Sequence, residues 1–233
     1  MKLGNSFWKN NLDNLLVILV FFGVIIIFTY LVFQGIANVN PFFENKWIFQ
    51  MFDVGHEANV PTFFAVLLFI ILSASALVCG IYDKFVHAVK KDWFPWIIVS
   101  CVLLFLSLDE LAQVHEQLTF HTQYILRDVS GLFYFAWVIP YGILVVLFAA
   151  YLIPFFLKLP RYTRNIILLG AGVFILGALG AEMISARFYE IGGAYHPGFI
   201  IASSVEETME IMGQLIAMFG LFREVSRRLD NRV

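Results

Sequence analysis

The stretch FIIASSVEETMEIMGQLIAMFGLF, residues 199–222, decides the fold. It is long enough to cross about 30 Å of hydrocarbon, which takes about 20 helical residues, yet it carries Glu206, Glu207 and Glu210. Read as a crossing, it is the sixth and last, and it returns the chain to the side on which it began. An odd number of crossings would spoil the alternation of basic residues along the chain.

The rest of the sequence favours six. Residues 15–33, 61–81, 93–118, 131–157 and 166–186 form the other apolar runs. The chain is 61% hydrophobic and 14% charged, against about 25% charged in a soluble domain, so the composition is that of an integral membrane protein. The first run, preceded by Lys2 and Lys9, exceeds the roughly 7–15 residues of a signal-peptide core and reads as a retained helix. Twelve of the 15 Lys and Arg residues fall before the first run, around 84–91, around 158–164 and in the C-terminal tail. Only Lys46, Arg127 and Arg187 fall in the alternate connections. Basic residues collect on the cytoplasmic side, which puts both termini there. The expected fold is therefore all-α: a polytopic six-transmembrane-helix bundle, one domain over 1–233, in the inner or plasma membrane, with the lipid bilayer as its first partner. A homo-oligomer or a larger membrane complex also suits so short a chain. No basic tract for nucleic acid is present. Pro61, Pro95 and Pro197 stand at or near helix starts, where a missing N–H costs nothing, whereas Pro140 lies inside the fourth run and predicts a kink. Cys79 and Cys101 lie in apolar runs and read as packing residues.

Ionisable groups at membrane depth are costly and mark function. With about 1.5 Å of rise per residue, Asp109 and Glu110 lie about 24–26 Å above the cytoplasmic end of the third run, and Glu182 about 24 Å above that of the fifth. Glu206 and Glu210 lie about 14–20 Å below the outer surface. All three sets meet in the outer half. Twelve acids fall on the outer side and five on the inner, opposite in sense to the basic residues. On the last run Ser203, Glu206, Glu210, Gly213 and Ala217 share a small, polar stripe, and Glu182 shares a face with Ala171, Ala178, Ser185 and Ala186. His115 falls off the acidic arc of its run unless the helix unwinds there.

These acids cannot all be bare anions, since two carboxylates 4 Å apart repel by about 4 kcal/mol even at an effective dielectric of 20. They must be hydrated, protonated or bound to cations. The expected site is a cation site opening outward, with Asp109, Glu110, Glu182, Glu206, Glu207 and Glu210 inside and Glu116, His115, His56 and Glu57 at its mouth. Oxygen ligands of this kind suit a divalent metal, the expected cofactor, and the same groups could carry protons in transport or sensing. The alternatives are a metal-dependent membrane hydrolase or oxidoreductase on the same residues, and a structural subunit of a complex. Neither His56-Glu57 nor His115-Glu116 extends to a His-Glu-x-x-His zinc motif, because Val60 and Thr119 occupy the closing positions. Glu206-Glu207 resembles the paired glutamates of CAAX-type intramembrane proteases, but Glu210 stands where that family has arginine.

Overall fold

The computed structural model describes residues 7–39, 47–54, 58–86, 92–127 and 129–230. It is all-helical, 88% in helix, with no strand among the described residues. The long elements are α1 (Phe7–Val39), α3 (Val60–Phe85), α4 (Trp93–Ala112), α6 (Val138–Phe156), α7 (Arg161–Ile175) and α9 (Pro197–Asp230). Shorter helices are α2 (Trp47–Gln50), α5 (Val114–Leu126) and α8 (Glu182–Gly192). A single π-helical stretch, Leu176–Ala181, joins α7 to α8 in one rod. Among the described residues five helices are long and apolar enough to cross a membrane: α1, α3, α4, α6 and the Arg161–Gly192 rod.

The 34-residue α9 is the longest helix and the centre of the bundle, with α1 and α3 on one side and α7 and α8 on the other. It gives Ile211, Met218 and Phe222 to a core shared with Leu19, Ile26, Phe64 and Leu68. It also gives Leu221 and Val225 to a second core with Trp96, Phe155 and Ile167. A helix walled by protein can carry acids on faces that meet a cavity instead of lipid, which is why α9 is less apolar than the five around it. In a bilayer such cores are held by close van der Waals contact more than by exclusion from water. The α7–α9 crossing is correspondingly tight: a Cβ on Gly170 would stand 2.3 Å from the Ala217 nitrogen, and one on Gly213 would stand 2.4 Å from the Phe174 nitrogen.

Two boundaries differ from the sequence reading. The third run is not one helix, because α4 ends at Ala112 and Gln113 adopts a left-handed conformation (φ 54°, ψ 39°) before α5 begins. The fourth run starts with a 3-10 turn, Gly131–Phe133, and becomes α-helical only at Val138. Pro140 therefore falls in the first turn of α6, where its missing N–H has no intrahelical partner to lose, and the expected mid-span kink has no cause. Pro61 meets its expectation: it lies in the first turn of α3, whose Asn59 cap accepts a hydrogen bond from the Thr62 N–H at 3.1 Å. Cys79 and Cys101 are both free.

One end of the bundle is riveted by ion pairs. Arg223 meets Asp13 at 3.2 Å, Lys158 meets Asp92 at 2.8 Å, and Arg228 meets Asp83 at 2.8 Å. These join the start of α1, the start of α4, the end of α3 and the end of α6 at the α9 C-terminal end or beside it. By contrast α6 is loosely held: it buries Val138 at its start and Phe155 and Phe156 at its end, and nothing between.

Candidate functional site

Because the middle of α6 stands away from the bundle, a cavity of about 800 Å³ remains among α4, α6, α7 and α9. It is lined by eight of the ten residues expected at the site: Asp109, Glu110, His115, Glu116, Glu182, Glu206, Glu207 and Glu210. His56 and Glu57 lie outside the described residues. All five members of the small, polar stripe on α9, from Ser203 to Ala217, line the same space.

The break at Gln113 builds the α4–α5 side. With the chain turned there, Asp109 (5% exposed) reaches over the start of α5, and its Oδ1 accepts the His115 backbone N–H at 2.9 Å. The His115 ring then lies beside the same carboxylate, Nδ1 to Oδ2 3.4 Å. This unwinding is the condition under which His115 can join the acids. A left-handed glutamine is strained by about 1 kcal/mol. Gln113→Gly is expected to raise thermal stability by up to about 1 kcal/mol, and Gln113→Val to lower it by a similar amount, as read from melting curves in nanodiscs.

From His115 a continuous strip of contacts crosses to α9. The His115 and Trp137 rings pack with centroids 4.8 Å apart. Trp137 Nε1 donates to Glu182 Oε1 at 2.9 Å. Ser185 Oγ, fully buried, lies 3.0 Å from Glu182 Oε2 and 3.2 Å from Glu206 Oε2. The carboxyls of Glu182 and Glu206 thus flank one hydroxyl. The π-helical stretch and Gly177 set this approach, since a Cβ on Gly177 would meet the Glu206 carbonyl oxygen and the Met209 Cβ at 3.0 Å. Single π turns inside helices commonly occur at functional sites.

Sequence reading missed three members of the strip. Trp137 reads as an interfacial tryptophan, Ser185 as a small packing residue, and Tyr141, whose ring packs edge-on against Trp137 with centroids 5.1 Å apart, as part of an apolar run. An N–H or O–H donor within a run that must face acids elsewhere is the signal that points to them. Arg187 pairs with Glu190, 2.7 Å away, and Glu190 in turn accepts the Gly131 N–H. Lys46 lies outside the described residues.

Among the described residues no three His, Cys, Asp or Glu side chains come together as a group able to hold a metal ion. The acids are strung along the cavity on different helices, and the best-positioned ones are already engaged: Asp109 with α5, Glu182 with Trp137, and Glu206 with Ser185. Residues 15–225 match the model of a family described as a domain of unknown function (DUF8692). No curated protein matches the chain, and no solved structure does.

Proposed function

The chain belongs to that family of unknown function, and we propose from its own residues that it is a six-span membrane protein whose cavity binds cationic charge, held at rest as protons. In this reading α9 is the sixth crossing, over 199–222, and both termini are cytoplasmic in an inner or plasma membrane. The twelve-to-three distribution of basic residues supports this topology. So does the Asp13–Arg223 pair, which ties the first helix to the last at one end.

The Ser185 bridge between Glu182 and Glu206 carries the proton reading. Its hydroxyl has one hydrogen to give, so contact with both carboxyls at hydrogen-bonding distance calls for a proton on one of them. The alternative, two anions in a low-dielectric site, is opposed both by their repulsion and by the loss of hydration. Ser185 and Trp137 then serve the charged partner as donors, and Asp109 with His115 forms a second place for a proton on the same cavity. The set suits a proton reservoir for sensing or transport.

Infrared spectroscopy tests this directly. A protonated-carboxyl C=O band is expected at neutral pH in the wild type and is expected to disappear in Glu206→Gln. Elemental analysis accompanies it. A metal bound one-to-one in the wild type and lost in Glu206→Gln/Glu210→Gln, with no carboxyl band, would overturn the proton reading.

A further inference from the structure

The cavity is larger than a proton site needs, and its polarity is graded. Along α9 it runs from Ser203 to Leu221, about 27 Å at 1.5 Å per residue. The outer part carries the carboxyls, and the described residues lining it include seven acids and no Lys or Arg. The inner part, about half the length, is lined by side chains such as Leu144, Phe148, Leu152, Ile167, Leu168 and Leu221. It reaches Phe156 and Leu221, and Leu221 stands one helical turn before Glu224, the partner of Arg228. A hydrated ion has no polar route through that end, whereas a hydrocarbon chain fits it.

Gln214 stands between the two parts. It lines the cavity, is 2% exposed, and neither its Nε2 nor its Oε1 has a hydrogen-bond partner. A buried amide with both ends unsatisfied costs about 1–3 kcal/mol for each group and is found where a ligand or water completes it. It lies one helical turn, about 6 Å, below Glu210 and about 12 Å below Glu206. A group that both donates and accepts, such as a secondary amide, satisfies both of its atoms at once.

We propose that the cavity binds a cationic amphiphile: an ammonium head among Glu182, Glu206 and Glu210, an amide-like linkage on Gln214, and an apolar tail between α6 and α7. This rests on the reading of these acids as a cation site and names the cation as an organic one. An ammonium supplies three donors to carboxylate acceptors. A phosphate beside seven acids would be repelled, which sets zwitterionic and anionic phospholipids apart from the ligand. The α6 middle, unpacked against the bundle, offers the side through which a tail enters from the bilayer.

The test uses full-length protein in phosphatidylcholine nanodiscs and radiolabelled N-(2-aminoethyl)dodecanamide, with N-(2-hydroxyethyl)dodecanamide as the uncharged match and empty nanodiscs as the partition blank. Saturable one-to-one binding is expected, at least about tenfold tighter for the amine than for the alcohol, as hydrogen bonds between charged groups warrant. Glu206→Gln is expected to remove about tenfold of the amine's affinity and Gln214→Leu about fivefold, with the melting temperature recorded for each to certify folding. Ala171→Phe, which fills the apolar arm without touching the acids, is expected to abolish binding of both probes. Equal binding of amine and alcohol, uptake no greater than in empty nanodiscs, or affinities unchanged in all three variants would overturn the proposal. The infrared band is recorded without any amphiphile, so a protonated pair with no amine binding sinks this inference alone, and amine binding with no protonated pair sinks the proton reading alone.

Discussion

Arg228→Met is expected to lower stability by about 3–5 kcal/mol, because it leaves two acids buried without their shared cation. Arg228 is 5% exposed and grips Asp83 with two bonds, Nε to Oδ1 at 2.9 Å and Nη2 to Oδ2 at 2.8 Å. Its other nitrogen, Nη1, pairs with Glu224, which is fully buried, and the guanidinium lies 5.3 Å from the Trp96 ring centroid. Removing the arginine leaves Arg227 as the remaining partner of Glu224, at 2.6 Å, and strands Asp83. Replacing the whole set, Asp83→Leu/Glu224→Leu/Arg228→Met, is expected to recover most of the loss, since a packed apolar cluster avoids desolvating any charge. Thermal unfolding in nanodiscs reads both variants.

The same knot gives the wild type an acid limit. Glu224 lies past the proposed sixth crossing, 199–222; burial alone would push its carboxyl up, but the Arg227 and Arg228 guanidiniums prevail and hold it below its ordinary value of 4.5. A carboxyl held low contributes stability that is complete above 4.5 and is lost as pH falls through its folded value. The wild-type melting temperature is therefore expected to fall as pH drops below 4.5, with the slope weakened in the triple variant.

Gly213→Val is the second large effect. The backbones of α7 and α9 touch there: a Cβ would stand 2.4 Å from the Phe174 nitrogen, 2.7 Å from its Cα and 2.8 Å from the Gly170 carbonyl oxygen. None of these can swing aside as a side-chain end could, so the helices must separate. Overpacking of this kind costs about 1–3 kcal/mol, more where only backbone can yield. The displacement also draws Glu206 away from Glu182 and Ser185, so the protonated-carboxyl band is expected to vanish with no acid having been replaced. Gly172→Ala is the matched control on the same rod. Nothing lies within 4 Å of its added Cβ, and in a helix interior the change is expected to stabilise by about 0.5–1 kcal/mol.

Much of this arrangement is legible in the sequence, and the illegible parts share a cause. Depth and helical phase bring Asp109, Glu182, Glu206 and Glu210 to one cavity, because helical rise and the 100° step hold wherever a helix is regular. They fail where regularity does. Gln113 offers no glycine or asparagine to announce a left-handed residue, and its turn is what carries His115 to Asp109. The π stretch at Leu176–Ala181 likewise resets the phase just before Glu182. Pro140 shows the converse: a proline inside an apolar run looks like a kink until the helix is found to begin beside it. That the acids line a common wall without converging on one point follows from side-chain partners such as Trp137 and Ser185, which spacing alone does not encode.

The loosely held α6 has a mechanical consequence. A beam clamped at both ends and unsupported between them deflects most at its midpoint under a sideways load. In a bilayer that load is the lateral pressure of the lipid chains, which varies with their length and unsaturation. Local elements with few buried contacts open at small free-energy cost. The width of the space behind α6 is then shared between the polypeptide and its surroundings, and the same amino-acid sequence has a roomier interior where chain pressure is low than where it is high.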